Sequence, residues 1–198
     1  PRRALYECTK SSLEEKLLVS VFQSVSSRTA GFSVVDFGET GPETNFFLTA
    51  LMFIGGASAS VAGGIKVTTV AVVVLGLVSA LRGRGHTSAF GREVPGVQVR
   101  NAMVIGAVSL GFLFLTIFLL MSVEHGVRFI DLVFESVSAF GTAGLSAGIT
   151  ENLSSCGRLL LIITMFAGRL GPFAIGLALA HTESSDLYRF AQESVAIG

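Results

Sequence analysis

Two short stretches carry the residue types whose spacing could do chemistry: Ser26-Ser27-Arg28-Thr29-Ala30-Gly31-Phe32-Ser33 and Ser138-Ala139-Phe140-Gly141-Thr142-Ala143-Gly144-Leu145-Ser146. No nucleophile stands with a base, and no His/Glu spacing suits a metal, so enzymatic chemistry is not expected. What these stretches offer is backbone oxygen. Glycine at Gly31 and Gly144 permits conformations that turn successive carbonyls toward one axis, where they can replace an ion's hydration shell. Neither loop holds an Asp or Glu, which disfavours a divalent cation and suits a weakly hydrated monovalent one. Taken singly, Thr-Ala-Gly also fits a tight turn between packed helices, because small residues favour such contacts. Its recurrence on a repeated scaffold favours the ion-binding role.

The recurrence extends well beyond the loops. At an offset of 113, Thr29, Ala30, Gly31 and Ser33 match Thr142, Ala143, Gly144 and Ser146, and Leu48, Met52, Phe53, Gly55 and Gly63 match Leu161, Met165, Phe166, Gly168 and Gly176. Upstream the offset is 112: Val21, Phe22, Ser24, Val25 and Ser26 match Val133, Phe134, Ser136, Val137 and Ser138, so the second copy has one extra residue before its Thr-Ala-Gly. An internal duplication sets the architecture before any local assignment.

The composition predicts an all-α polytopic membrane protein: 51% of the 198 residues are hydrophobic, with 16 Phe and 23 Gly, and the mean hydropathy is +0.69. Residues 101–123 carry no charge over 23 positions, long enough to cross a hydrocarbon core of roughly 30 Å. Zero net charge gives no basis for a nucleic-acid partner, and Cys8 and Cys156 have no metal-ligand spacing. The chain begins at Pro1 without a complete first span, which reads as the C-terminal piece of a longer polypeptide.

The positioning elements follow in order. Ser12-Leu13-Glu14-Glu15 has the form of a capping box and apolar residues follow at helical spacing, predicting a helix over 13–26. At 1.5 Å per residue it reaches only about 21 Å, so it should enter the membrane and stop, with loop 27–33 returning the chain to an acidic turn at 36–43 on the side of entry. A long apolar helix over 43–82 is interrupted by Gly55, Gly56, Gly63 and Gly64 ahead of Lys66. Unwound backbone at that depth is tolerated only against protein or a water-filled cavity. Segment 83–96 lies in an arginine-rich loop and is expected on the cytoplasmic side, although Arg2, Arg3 and Lys10 would then lie outside. The second copy predicts a spanning helix at 97–123, a short helix at 128–140, a loop at 141–148 and a broken helix at 154–186, with a cytoplasmic tail at 187–198.

Charges at depth are the remaining signals. Arg169 stands mid-helix among Gly168, Gly171 and Pro172, where an ionisable residue costs at least about 2.5 kcal/mol and marks an ion path or pairs with carbonyls freed by a helix break. Lys66 is expected to extend to the cytoplasmic interface. Arg28 could brace the first loop, and Glu135 could pair with a buried cation. His86, His125 and His181 fall near the expected interfaces and read as solvated.

Four motifs, at 22–32, 55–66, 140–145 and 168–172, together resemble the Trk/Ktr/HKT superfamily of potassium uptake proteins, in their third and fourth membrane-pore-membrane repeats. The resemblance implies a K⁺-channel-like fold with re-entrant pore helices, the third repeat over 1–82 lacking its first helix, and the fourth over 97–186. It implies filter residues Thr29, Ala30, Gly31, Thr142, Ala143 and Gly144, with K⁺ at the carbonyls of Thr29, Ala30, Thr142 and Ala143. It further implies a gate built from Gly55, Gly56, Gly63, Gly64, Lys66 and Arg169. Potassium uptake by channel-like flow or symport is then expected, in a multi-pass protein of the cell inner or plasma membrane, with K⁺ as cargo and no organic cofactor. The implied partners are the N-terminal half of the same protein, a second copy in a homodimer, and a cytosolic RCK-type nucleotide-binding subunit. One departure stands out: the family usually reads Gly-Gly-Ser-Pro-Gly-Ser-Thr-Ala-Gly-Gly where this chain has Ala57, Ser58, Ala59 and Val61. The alternatives are a Na⁺-permeable pore or another monovalent-cation transporter with discontinuous helices. An inverted-repeat transporter fits less well because these two repeats run parallel.

Overall fold

Local signals set the first helix of the computed structural model, which describes residues 12–57, 60, 62–83, 86–89 and 91–180. Helix α1 (Leu13–Ser26) opens on a complete capping box: Ser12 Oγ accepts from Glu15 N–H at 3.3 Å, and Glu15 returns the bond to Ser12 N–H at 3.1 Å. Helix α2 (Pro42–Phe53) starts with proline at a position where no N–H is needed. Helix α3 (Val67–Leu81) follows, and the described residues between them, 54–57, 60 and 62–66, leave the helical path. An isolated parallel bridge, Ile54 to Ile65, closes this excursion, with Gly55 N–H donating to Ile65 O at 2.8 Å and Val67 N–H to Gly56 O at 3.2 Å. The excursion thus pairs its own ends.

Beyond α3, where an irregular loop was expected, β1 (Thr87–Ala89) and β2 (Arg92–Val94) form a short antiparallel hairpin. Helix α4 (Gly96–Val123) is long and apolar enough to cross a membrane. Helix α5 (Phe129–Gly141) is short, and a turn of 3₁₀ helix at Thr150–Asn152 leads to α6 (Ser155–Ala180). Glu124, just past α4, anchors the start of α6 by accepting from Ser154 N–H at 3.0 Å, where a negative charge also favours the helix dipole.

The expected break in the last helix does not occur: α6 runs without interruption through Arg169 and Pro172 to Ala180. A single proline removes one backbone donor and bends a helix, whereas α2 and α3 are separated by two pairs of glycines with small residues between them. The end of the expected 154–186 helix, together with His181 and the tail 187–198, lies outside the described residues, as does Cys8. Cys156 is free and exposed.

Packing converges on α5. One apolar cluster joins Phe37, Leu48, Met52, Leu113, Phe134, Val137, Phe140 and Leu145, and a second joins Leu120, Leu132, Ala139, Leu153 and Leu161. Phe37 lies against Phe134 with ring centroids 5.3 Å apart, and Phe140 is flanked by Phe53 and Phe112 at 6.3 and 6.1 Å. Every described residue of α5 from Phe134 to Gly141 is buried, whereas α1 presents Leu13, Leu17, Leu18, Val21 and Val25 outward.

Candidate functional site

The ends of α1 and α5 turn into the two Thr-Ala-Gly loops with one shared backbone pattern. Thr29 and Gly31 have φ of 70° and 75°, Thr142 and Gly144 have φ of 51° and 81°, and the alanine between each pair keeps negative φ. Alternation in the sign of φ is what allows successive carbonyls to point to the same side. For glycine the left-handed region is free of strain, but for a β-branched threonine it is a true outlier, costing roughly 1–3 kcal/mol. The same strain at matching positions of both copies requires surroundings that impose it.

Those surroundings are hydrogen bonds back to the short helices. Ala30 N–H donates to Ser26 O at 3.1 Å, and Ala143 N–H to Ser138 O at 2.9 Å. The first bond spans four residues and the second five, so the extra residue of the second copy is taken up where the helix ends. Ser26 and Ser138 also use their hydroxyls, donating to the Phe32 and Leu145 carbonyls beyond the glycines. Sequence matching paired these two serines but assigned them no role; the signal was a hydroxyl kept at one position in both copies.

The loops meet glycine to glycine. A Cβ on Gly31 would lie 3.0 Å from the Ala143 carbonyl oxygen, and one on Gly144 would lie 3.3 Å from Gly31 Cα. The loop residues Thr29, Ala30, Gly31, Thr142, Ala143 and Gly144 therefore form one constellation, with Ala143 buried and Ala30 and Gly144 exposed.

The glycine-rich segment abuts the second of these loops. Gly63 N–H donates to Thr142 Oγ1 at 3.1 Å, and a Cβ on Gly63 would lie 2.7 Å from the same oxygen. Gly64 has φ of 73°, and a Cβ there would approach Phe53 O at 3.2 Å and Gly141 Cα at 3.4 Å. Gly55 and Gly56 lie on the opposite arm of the excursion, where a Cβ on Gly55 would strike Gly63 O. Gly141 meets the end of α2, with room for no Cβ beside Met52 O at 2.5 Å.

The two cations expected here behave differently from their sequence reading. Lys66 folds back over the segment it follows: its Nζ donates to Ser60 O at 3.0 Å and to Ala62 O. The freed carbonyls thus attract the nearest flexible ammonium. Arg169 does not hold them; it is exposed and has no hydrogen-bond partner among the described residues, although its neighbour Gly168 packs directly on the Phe140 carbonyl. Arg28 is likewise exposed and braces nothing among the described residues. Glu135 pairs with no cation among the described residues. It accepts from Ser146 Oγ, from Ala147 N–H at 3.2 Å and from Thr150 Oγ1 at 3.0 Å.

At the start of α5 the two copies touch again. Arg128 holds Asp131 through Nε at 2.8 Å and Nη2 at 3.1 Å, and reaches the Gly38 carbonyl of the first copy at 3.4 Å.

The family model for TrkH, described as a cation transport protein, matches residues 8–189. Ktr system potassium uptake protein B of Bacillus subtilis is 42% identical over 173 residues, covering 87% of this chain and 39% of that protein. Ktr system potassium uptake protein D of the same organism is 36% identical over 188 residues, covering 94% and 41% respectively. The potassium/sodium uptake protein NtpJ of Enterococcus hirae is 32% identical over 196 residues, covering 96% of this chain and 43% of its own length. The chain thus spans about two fifths of the length of these curated relatives. Among solved structures, the crystal structure of the potassium transporter TrkH from Vibrio parahaemolyticus has the same fold, with a TM-score of 0.72 at 21% identity, covering 90% of this chain and 40% of that one.

Proposed function

Because the chain belongs to the TrkH family of cation transport proteins, we propose that it forms part of a membrane pore for potassium uptake, with the two Thr-Ala-Gly loops as two strands of its ion filter. The observation that carries this is the pairing of strained loops: two threonines in the left-handed region, at matching positions, with their glycines in contact. Strain of this kind persists where function needs it. Potassium would be held by the carbonyls of Thr29, Ala30, Thr142 and Ala143. Helices α1 and α5, which stop short of a full span, direct their negative C-terminal dipoles at the same place, which favours a cation. Flow through this pore is channel-like or symport, with K⁺ as cargo and no organic cofactor.

Segment 54–66 is the proposed gate, comprising Gly55, Gly56, Gly63, Gly64 and Lys66, with Arg169 beside it. Its support is the bond from Gly63 to Thr142, which puts a non-helical segment in direct contact with a filter loop. The repeat organisation, a multi-pass placement in the cell membrane, a homodimer and a cytosolic RCK-type regulatory subunit complete the proposal, carried by the family resemblance. A second reading, a pore that also passes sodium, is favoured by the likeness to a protein described as a potassium/sodium uptake protein.

Rubidium uptake against competing sodium, in the full-length protein, tests both. Gly31→Ser and Gly144→Ser each place a Cβ on strained backbone and against the opposite loop, and should weaken discrimination of potassium over sodium. Unchanged discrimination in both variants would remove the filter assignment, and a wild-type protein that takes up both ions equally well would favour the second reading.

A further inference from the structure

Glu135 stands on the buried face of α5, 5% exposed, and one carboxylate oxygen collects three donors: the Ser146 hydroxyl, the Ala147 N–H and the Thr150 hydroxyl. All three lie on the limb of the loop that follows Gly144. Ser146 Oγ also accepts from Gly148 N–H at 3.0 Å, and Ser138, one turn along α5, holds the Leu145 carbonyl at 2.5 Å. The limb is therefore tethered to α5 on both sides of Ser146. A carboxylate strengthens these bonds, since hydrogen bonds to a charged group are roughly twice as strong as neutral ones.

The first copy provides an internal comparison. At the 112-residue offset, Glu135 corresponds to Gln23, which is also 5% exposed, yet both of its amide atoms lack a partner among the described residues. There the limb after Gly31 is held by the Ser26 hydroxyl on the Phe32 carbonyl, while Ser33 bonds locally to Val35. The two loops share a backbone pattern, but only the second is fastened to its helix by a charge.

We propose that Glu135 is a positioning residue for ion discrimination: its carboxylate fixes the limb after Gly144 and thereby holds the Thr142–Gly144 carbonyls in the geometry that favours potassium over sodium. The proposal rests on the filter reading above. It makes the fourth-repeat loop the stiffer of the two, and predicts that selectivity is more sensitive to change at Glu135 than at Gln23.

The experiment compares Glu135→Gln, Glu135→Ala, Gln23→Ala and Gly144→Ser in the full-length protein, measuring rubidium uptake with and without sodium, and the thermal midpoint of the purified protein. Glu135→Ala should relax discrimination by about tenfold, as loss of charge-assisted bonds implies. Glu135→Gln keeps an acceptor oxygen of the same reach and should fall between it and the unaltered protein, and Gln23→Ala should leave discrimination close to unaltered. Discrimination unchanged in the Glu135 variants while Gly144→Ser relaxes it overturns the proposal and leaves the filter in place, and a lowered midpoint with intact discrimination reduces Glu135 to scaffold. Should Glu135→Ala not fold, the same reading is taken from Glu135→Gln, whose shape is conserved, with intact discrimination again overturning the proposal. If Gly144→Ser and Gly31→Ser also leave discrimination intact, the filter reading fails and this proposal with it.

Discussion

Threonine 142 concentrates three roles in one residue. Its backbone is left-handed, its hydroxyl accepts the Gly63 N–H, and it follows the glycine on which Met52 packs. Thr142→Val keeps the shape and the strain but leaves the Gly63 N–H without its acceptor, a cost of roughly 1–3 kcal/mol for a buried donor. Amide hydrogen exchange at 62–64 should therefore accelerate, with maximal rubidium uptake rising if the 54–66 segment is the barrier. Slow exchange equal to that of the unaltered protein would show that the bond does not restrain the segment. Gly168 makes a contrasting case. Its Cα lies so close to the Phe140 carbonyl that no Cβ fits, and the clash is with backbone, which cannot swing aside. Gly168→Ala should lower the thermal midpoint by the equivalent of about 1–3 kcal/mol or more, as overpacking does. A midpoint within error of the unaltered protein would mean that α6 can shift outward at no cost.

At the scale of elements, the contrast between α5 and α1 explains why the two loops are held differently. Helix α5 is enclosed by α2, α4 and α6, and can hold a buried carboxylate because the loop supplies its donors. Helix α1 is short of such neighbours and leaves Gln23 without partners among the described residues. The excursion 54–66 is a similar matter of local supply. It is closed by its own bridge and by Lys66, whose ammonium holds the Ser60 and Ala62 carbonyls. Lys66→Met keeps most of the stem and removes all three donors. It should raise the maximal rate of rubidium uptake by the full-length protein without altering the preference among ions, since the proposed filter loops are untouched. A lowered rate at normal protein levels would instead make Lys66 part of the conducting path.

For the whole molecule, the arrangement of charge is the informative feature. Arg169 is exposed and unpartnered among the described residues, one position from a glycine locked against α5. If the guanidinium stands beside the proposed path, it raises the electrostatic barrier to a cation. Arg169→Gln should increase maximal uptake or conductance, leave the potassium preference unchanged, and leave the thermal midpoint within about 0.5 kcal/mol, as expected for a substitution that breaks no contact. Wild-type conductance with a lowered midpoint would make the arginine a purely structural group.

Much of this was open to a reader of the sequence because its causes are local. The two offsets, 112 before the loops and 113 after, revealed the duplication and even the extra residue, which the structure accommodates at the end of α5, where the Ala143 to Ser138 bond spans five residues and its counterpart four. The capping box marked the start of α1, and two glycine pairs marked the excursion between α2 and α3, since propensity and capping act within a few residues. Other features could not be read in this way. Threonine is among the last residues expected at positive φ, and only the surrounding bonds and packing overrule its preference. Glu135, Lys66 and Arg169 were visible as charges, but which of them would find oxygens and donors depended on how the chain folded back. The continuity of α6 through Pro172 was also undetermined, because one proline is compatible with a bend or a break. Gly63 and Thr142 are 79 positions apart in the chain, and that bond belongs to the tertiary fold, since no local preference of either residue specifies the other as its partner.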